Sequence, residues 1–510
     1  MNRYPLAEEV LTSSAAPDLF ELIKDRSHSF FLDSGMGPGK LGRYSFLGSD
    51  PFLVMKSRGT EITLVRGQER EMQQGNPFDA LGVLLQEHRL EPCQLPVPFV
   101  GGAVGYLGYD LCHFIEHLPS TARDDLELPE CYLALYDTVL AFDHLERKSY
   151  VVATGFPEMD EEQRLKRARM KLEEVKQRIG AVASGRQASG GATNDLPGDG
   201  AMRSQAGRST DGPRRADSPA DSSDGGGFQA GAGDGKVLLE SNFTREEYIK
   251  AVSRVREYIA AGEVFQVNLS QRFEAELRIP PYELYKRLRR VNPAPFASYL
   301  CFPGVTVVSA SPERFLRVQG DLVETRPVKG TRPRGNDPVE DRRLARELTE
   351  SAKDRAENVM IVDLERNDLG RVCRYGTVKV SELAILETFP TVFHLTSTVQ
   401  GRLRPDKSNI DLLKATFPGG SVTGAPKVRA MEIIDRLEPT RRAAYTGSLG
   451  YLSFDGQIDL SIVIRTLLIK EGRAYFQAGG AITYDSDPEA EYVETMDKAR
   501  ALIQALQASP

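Results

Sequence analysis

The chain has 510 residues, 40% hydrophobic and 27% charged, the balance of a soluble globular protein with two or three ordinary domains or one large one. A formal net charge of −7 excludes the electrostatic footprint of a nucleic-acid binder. The five cysteines (Cys93, Cys112, Cys131, Cys301 and Cys373) form no CxxC pair, which argues against a zinc site or a disulfide scaffold and suits a reducing compartment. The N-terminal stretch lacks the apolar core of a signal peptide, and no apolar run is long enough to span a bilayer. The expectation is a cytoplasmic enzyme of small-molecule metabolism with no membrane association.

Residues 1 to about 155 read as mixed α/β. Glycine-bearing turns at Asp33–Ser45 and Val100–Tyr106 could cradle a ligand or simply join strands. Gly37, Gly39 and Gly42 spell GxGxxG, but no helix follows, so the match is counted as chance. A charged helix is predicted from Asp160 to about Ile179. From 181 to 236 the chain is dense in Gly, Ser, Asp and Pro and poor in large apolar residues, and is read as a disordered linker.

Order is expected to resume at Ser241. Thr244 and Glu247 make a capping box for a helix carrying Tyr248, Val252, Val255 and Ile259. A strand over Val264–Phe273 places Gln266, Asn268, Ser270 and Arg272 on one face, which could be a solvent face or a site. Short strands are predicted near residues 306–310, 315–318 and 322–325.

The segment Arg326-Pro-Val-Lys-Gly-Thr-Arg-Pro-Arg-Gly335 is stiffened by its prolines, and Gly330 would let a ligand approach the backbone. Its arginines would depress the pKa of Lys329 and favour a nucleophilic amine. The plain alternative is a solvated basic loop.

Asp337-Pro338 opens a charged helix, and a second carries Glu357 to Leu364. His394 lies in a strand, where a satisfied core histidine is the default. The loop Gly419–Lys427 runs into an amphipathic helix and resembles an anion cradle, although it is not a GxxxxGK[ST] loop. Arg465 is a cation in an apolar strand and needs a structural or a substrate carboxylate. Near the end Asp487 caps a helix, with Glu491, Glu494 and Lys498 on one face. That face is either an ordinary charged surface or a carboxylate pair for Mg²⁺. No Ser/His/Asp or Cys-centred elbow is present. Together the C-terminal groups form the kit of a Mg²⁺-dependent enzyme acting on a small polycarboxylate.

Residues from about 241 to 507 resemble the chorismate-utilising enzymes, and residues 1 to about 155 resemble the N-terminal region of their large-subunit members. The stretches that carry the resemblance are Gly262–Ser270, Ser311–Phe315, Arg326–Gly335, Val362–Asp368, Gly419–Lys427 and Glu491–Lys498.

The resemblance implies an α/β (α+β) fold. Its form would be a large sandwich of mostly antiparallel β-sheets with helices outside and the active site in the cleft between sheets. It implies Mg²⁺ held by Glu357 and Glu494 with Glu491 close by. The carboxylates of chorismate would be held by Tyr445, Arg465, Gly330, Thr331, Gly479 and Gly480, with Lys498 adding positive charge. Glu313 would be the general acid, and His394 would lie beside the reacting ring.

Members that add water carry lysine where this chain has Gln266, so the resemblance implies an ammonia-using enzyme. Anthranilate synthases typically have alanine at the position of Lys329. The lysine implies instead a covalent adduct and formation of 4-amino-4-deoxychorismate, for para-aminobenzoate and folate biosynthesis. Anthranilate formation is the alternative, and a non-catalytic carboxylate- or amidotransferase-binding paralogue is an alternative of another class. Ammonia would come from glutamine through a separate amidotransferase subunit. A tryptophan pocket would use Ser34, Pro295, Phe296 and Ala297, with Asp33 where feedback-sensitive members commonly show glutamate.

Overall fold

The computed structural model describes residues 3–36, 41–189, 227–230 and 237–507. Two large sheets, of 13 and 12 strands, dominate the described residues, and every ladder within them is antiparallel. Alternation along the strands explains the layering. In Ser29–Asp33, Phe30 and Leu32 enter the core between the sheets, whereas Phe31 faces the opposite way. Val307/Val308 and Leu468/Leu467 divide in the same manner. The first sheet is therefore apolar on both faces. Its outer face is covered by helices that include Pro281–Val291 and Pro488–Gln507, which bring Leu284, Leu288, Leu502 and Ile503 to that core.

The N-terminal and C-terminal regions share both sheets. Ser29–Asp33 pairs with Phe296–Phe302 in one, and Gly102–Leu107 pairs with Ser448–Ser453 in the other. The glycine turn near 100–106 is thus largely a buried strand rather than a ligand cradle. A Cβ on Gly105 would sit 2.0 Å from the Tyr132 carbonyl, so the neighbouring strand requires glycine there.

The charged helix runs Glu161–Ser189, ten residues beyond its expected end and into the expected linker. Strands Gly227–Ala230 and Val237–Ser241 pair with each other, so order precedes Ser241. The rest of the linker, 190–226 and 231–236, lies outside the described residues, as do Gly37 and Gly39 of the GxGxxG match. The predicted capping box forms in full at Thr244 and Glu247.

Two crossovers between the sheets carry site residues. The chain passes from the first sheet to the second between Val305–Ser311 and Arg314–Gln319, and Glu313 lies in that step. It returns between Ile458–Ile462 and Thr466–Lys470, and Arg465 lies there with φ +54°. Strand residues take up their carbonyls, Ile462 donating to Glu313 and Ala310 to Arg465, and both residues lie at the passage between the sheets.

Candidate active site

Lys329 occupies the strand Val328–Pro333, which pairs with Val392–Arg402. The register slips between Lys329 and Thr331, and Gly330 fills the slip with φ +81°. A Cβ there would meet Leu348 and Asp354 at 2.9 and 3.1 Å. Glycine is required by backbone shape and by the helices Pro338–Glu350 and Ala352–Gly370, so that direction faces protein rather than a ligand. The bulge re-aims its neighbours. Lys329 is only 8% exposed, and its Nζ donates to the Ser421 carbonyl at 2.9 Å without an ion pair among the described residues.

Its pKa is lowered, but not by the arginines expected from the sequence. Burial is the largest cause and Lys498 adds to it, while Glu357, Glu313 and Glu494 oppose. Each arginine of the stretch has its own carboxylate: Arg326 pairs with Glu387, Arg332 with Glu347 and Asp354, and Arg334 with Asp341. The basic decapeptide is therefore a scaffold of satisfied arginines around one unpaired lysine.

Glu313 lies beside it. Burial pushes its carboxyl up to about 7, against the Ser421 hydrogen bond, the Lys329 charge and the Val328 amide. Ser421 thus touches both groups, its carbonyl on Lys329 and its side chain on Glu313. His394 is buried, and its Nδ1 is 2.9 Å from the Thr331 hydroxyl. Burial, helped by Arg465, lowers its pKa to about 4, so the ring is neutral at physiological pH. Thr331 itself is exposed.

The first sheet supplies the opposite wall. Gly479 and Gly480 of Arg473–Ile482 pair with Ser270 and Leu269 of Gln266–Glu276. The polar face of the latter strand is not solvated: Gln266, Asn268, Ser270 and Arg272 are all buried. Gln266 is fully buried with neither amide atom hydrogen-bonded. Arg465 donates to the Lys498 carbonyl and makes no ion pair among the described residues. Burial lowers its pKa despite Tyr445 and Glu494. Its expected carboxylate partner is not a structural one. Tyr445 is buried, with burial the main reason its phenol is pushed up to about 12.

As the sequence suggested, Glu491, Glu494 and Lys498 project from one helix, Pro488–Gln507, capped by Asp487. Lys498 Nζ lies 2.6 Å from Glu494 and 2.8 Å from the Gly479 carbonyl. Glu491 takes a hydrogen bond from Ser486 on Oε1, while its Oε2 is buried and unpartnered. A Cβ on Gly480 would sit 2.7 Å from that Oε2 and 3.7 Å from Glu494 Oε1. Burial raises the pKa of Glu491, with Glu494 adding to it. Burial also raises that of Glu357, with Asp354 and Glu494 contributing. For Glu494 burial acts upward, but Lys498, Lys353 and Lys329 together hold it low. An orphaned carboxylate oxygen beside a space that only glycine leaves fits a hard, oxygen-preferring cation. Among the described residues no three His, Cys, Asp or Glu side chains form a metal cage by themselves.

The anion cradle expected at Gly419–Lys427 is filled by the protein. The Gly420 amide donates to Glu365 at 3.0 Å, and Lys427 pairs with Asp368, both carboxylates coming from the helix Ala352–Gly370. The expected effector residues do come together: Ala297 pairs with Asp33, and the Ser34 hydroxyl is buried without a partner. Asp33 already accepts from Ser45, Tyr285 and Arg289.

Sequence reasoning missed the Glu438–Arg442 pair. Arg442 bonds Glu438 at 2.7 Å and the carbonyls of Asn268 and Val422, while Glu438 accepts from the Ser270 amide. The i,i+4 spacing was its only signal.

A buried lysine, a carboxyl raised by burial and an arginine without an ion pair, set between two sheets, suit a small anionic ligand. The family model described as chorismate binding enzyme matches residues 35–197 and 228–504, and the chain belongs to that family. Anthranilate synthase component 1 of Acetivibrio thermocellus is 37% identical, covering 99% of this chain and 96% of the relative. Aminodeoxychorismate synthase component 1 of Bacillus subtilis is 38% identical, covering 96% and 94%. The crystal structure of anthranilate synthase component I from Streptococcus pneumoniae superposes with a TM-score of 0.71 at 30% identity, covering 92% of this chain and 94% of that one.

Proposed function

We propose that the chain is the large component of an aminodeoxychorismate synthase. The observation that carries the reading is Lys329, a buried amine with a lowered pKa, held by one main-chain carbonyl beside a carboxylic acid. The lysine attacks C2 of chorismate as a neutral amine, forming the N–C2 bond while both ring double bonds shift, C1=C2 to C1=C6 and C5=C6 to C4=C5, and the C4–O bond breaks. Glu313, protonated below about 7, delivers its proton to the departing hydroxyl, which leaves as water. Ammonia then bonds to C4, both double bonds return to their first positions, the N–C2 bond breaks to release the neutral Lys329 amine, and the new C4 ammonium gives a proton back to Glu313. The enolpyruvyl ether is untouched.

Arg465, Tyr445 and Lys498, with the Gly479–Gly480 backbone, bind the two carboxylates; the neutral His394 flanks the ring. Glu491 and Glu494, with Glu357 opposite, would hold Mg²⁺, which when bound offsets the charge of the ring carboxylate as a Lewis acid. Gln266 cannot act as a base for water, which favours ammonia as the second nucleophile. The chain carries no Cys-centred amidotransferase elbow, and its relatives are named as components, so a glutamine amidotransferase subunit is proposed as the ammonia source. Ser34 and Pro295–Ala297 are proposed as the place for an amino-acid effector such as tryptophan, on the strength of the unpartnered Ser34 hydroxyl.

Anthranilate formation is the second reading, favoured by relatives of that name at similar identity. Incubation with chorismate, Mg²⁺ and ammonium salt separates the two. Aminodeoxychorismate and a mass adduct on Lys329 are expected, both lost in Lys329→Ala. Anthranilate and pyruvate as the products would overturn the proposal.

A further inference from the structure

Glu365 is the buried titratable group that this chemistry does not use. It is 2% exposed; one carboxylate oxygen accepts the Gly420 amide at 3.0 Å, and the other has no partner. A Cβ on Gly420 would lie 2.6 Å from Leu364 and 3.1 Å from Glu365, so the loop approaches the helix at a distance that only glycine allows. The next residue is Ser421, which holds both Lys329 and Glu313. On the far side of the loop Lys427 is fixed to Asp368, one helical turn beyond Glu365, and to the Thr416 carbonyl at 3.1 Å. The same helix carries Glu357 about two turns earlier.

We propose that Glu365 is a positioning residue: by gripping the Gly420 amide it sets Ser421, and through Ser421 the placement of the Lys329 amine and the Glu313 carboxyl. Four observations converge on this role. The carboxylate is buried where an apolar side chain would pack at lower cost. Its hydrogen bond goes to a backbone group rather than to the adjacent lysine. The residue it fixes is adjacent in sequence to the one that contacts both reacting groups. Lys427 acts on Glu365 through its charge alone, its Nζ being bonded to Asp368 and the Thr416 carbonyl. The helix thereby links the carboxylate of Glu357 to the loop that orients the nucleophile.

The inference rests on the amination reading for its kinetic arm but not for its chemical one. Glu365→Ala and Glu365→Asp both lose the bond to Gly420, the second while keeping the charge. Each is expected to lower kcat about 100-fold, the scale of a small misplacement of reacting groups, with KM for chorismate moved less than about threefold. Glu365→Gln keeps an oxygen at the Gly420 amide and is expected to restore kcat to within about fivefold of the parent.

The chemical arm is the rate at which methyl acetimidate amidinates Lys329, read by peptide mass without substrate. It should change more than about threefold in the Ala and Asp variants and return in Gln. If the parent makes no aminodeoxychorismate but this pattern holds, the amination reading fails and the positioning role stands. Ala or Asp variants with kcat and Lys329 amidination within twofold of the parent would overturn the role. So would a Gln variant as impaired as Ala. If the Ala variant does not fold, the Asp and Gln pair decides.

Discussion

Two buried clusters, each with one cation and one carboxylate, abut the loop 419–423 and behave in opposite ways. In the Glu438–Arg442 pair every strong group is answered: the guanidinium reaches Glu438 and two carbonyls, and Glu438 also takes Ser270. Burial acts against the charge, but Glu438 keeps the Arg442 pKa raised. In the Lys329–Glu313 cluster the lysine meets only a carbonyl, and burial prevails over their mutual attraction, moving the lysine down and the acid up. Burial is common to both. The number of matched hydrogen bonds separates the cluster that is a brace from the one proposed to be reactive.

The comparison breaks most sharply at Glu313. Glu313→Gln removes the proposed proton donor and should lower amination about 10²–10⁴-fold, measured as product formation under saturating chorismate. In the parent the acid must be protonated, so activity should fall as pH rises through about 7, and a profile flat from 6 to 9 would remove Glu313 from the role.

Next in size is the brace. Arg442→Met leaves Glu438 buried without its cation and should cost about 3–5 kcal/mol of stability, read from the urea midpoint. The same change in the reactive cluster, Lys329→Met, should leave the midpoint unchanged or raise it, because no ion pair is lost.

The smallest effect sharpens the source of the lysine's reactivity. Arg332→Ala and Arg334→Ala remove cations that already have carboxylates and do not act on Lys329. The pH dependence of Lys329 amidination should be the same in both variants as in the parent. A rise in its apparent pKa would restore the arginine explanation.

Local patterns were legible where one element carries the whole message. The helix face Glu491–Glu494–Lys498, its Asp487 cap, the Thr244 capping box and the buried Arg465 all follow from spacing and chemistry within a few residues. Motifs resembling a known family supplied the sandwich. Readings that depended on partners far along the chain went astray. The anion cradle at Gly419–Lys427 fits its letters, but Glu365 and Asp368, some 55 residues earlier, occupy it. The alternation of Gln266–Glu276 left open whether its polar face meets solvent or a site, and the loops that carry Asp125, Ser421 and Glu438 bury it.

The sequence by itself determined that Lys329 stands in a stiff, non-helical segment with a glycine beside it, because proline and glycine constrain the backbone locally; that the segment is a strand came from the structure. It also suggested why the lysine should lose its proton, and there it was misleading. Charge proximity along the chain places three arginines near Lys329, but side chains on an extended strand alternate, and each arginine found a carboxylate elsewhere. What lowers the pKa is burial between two sheets, a property of no single segment. Only the tertiary structure decides it, because desolvation depends on everything that closes over the group.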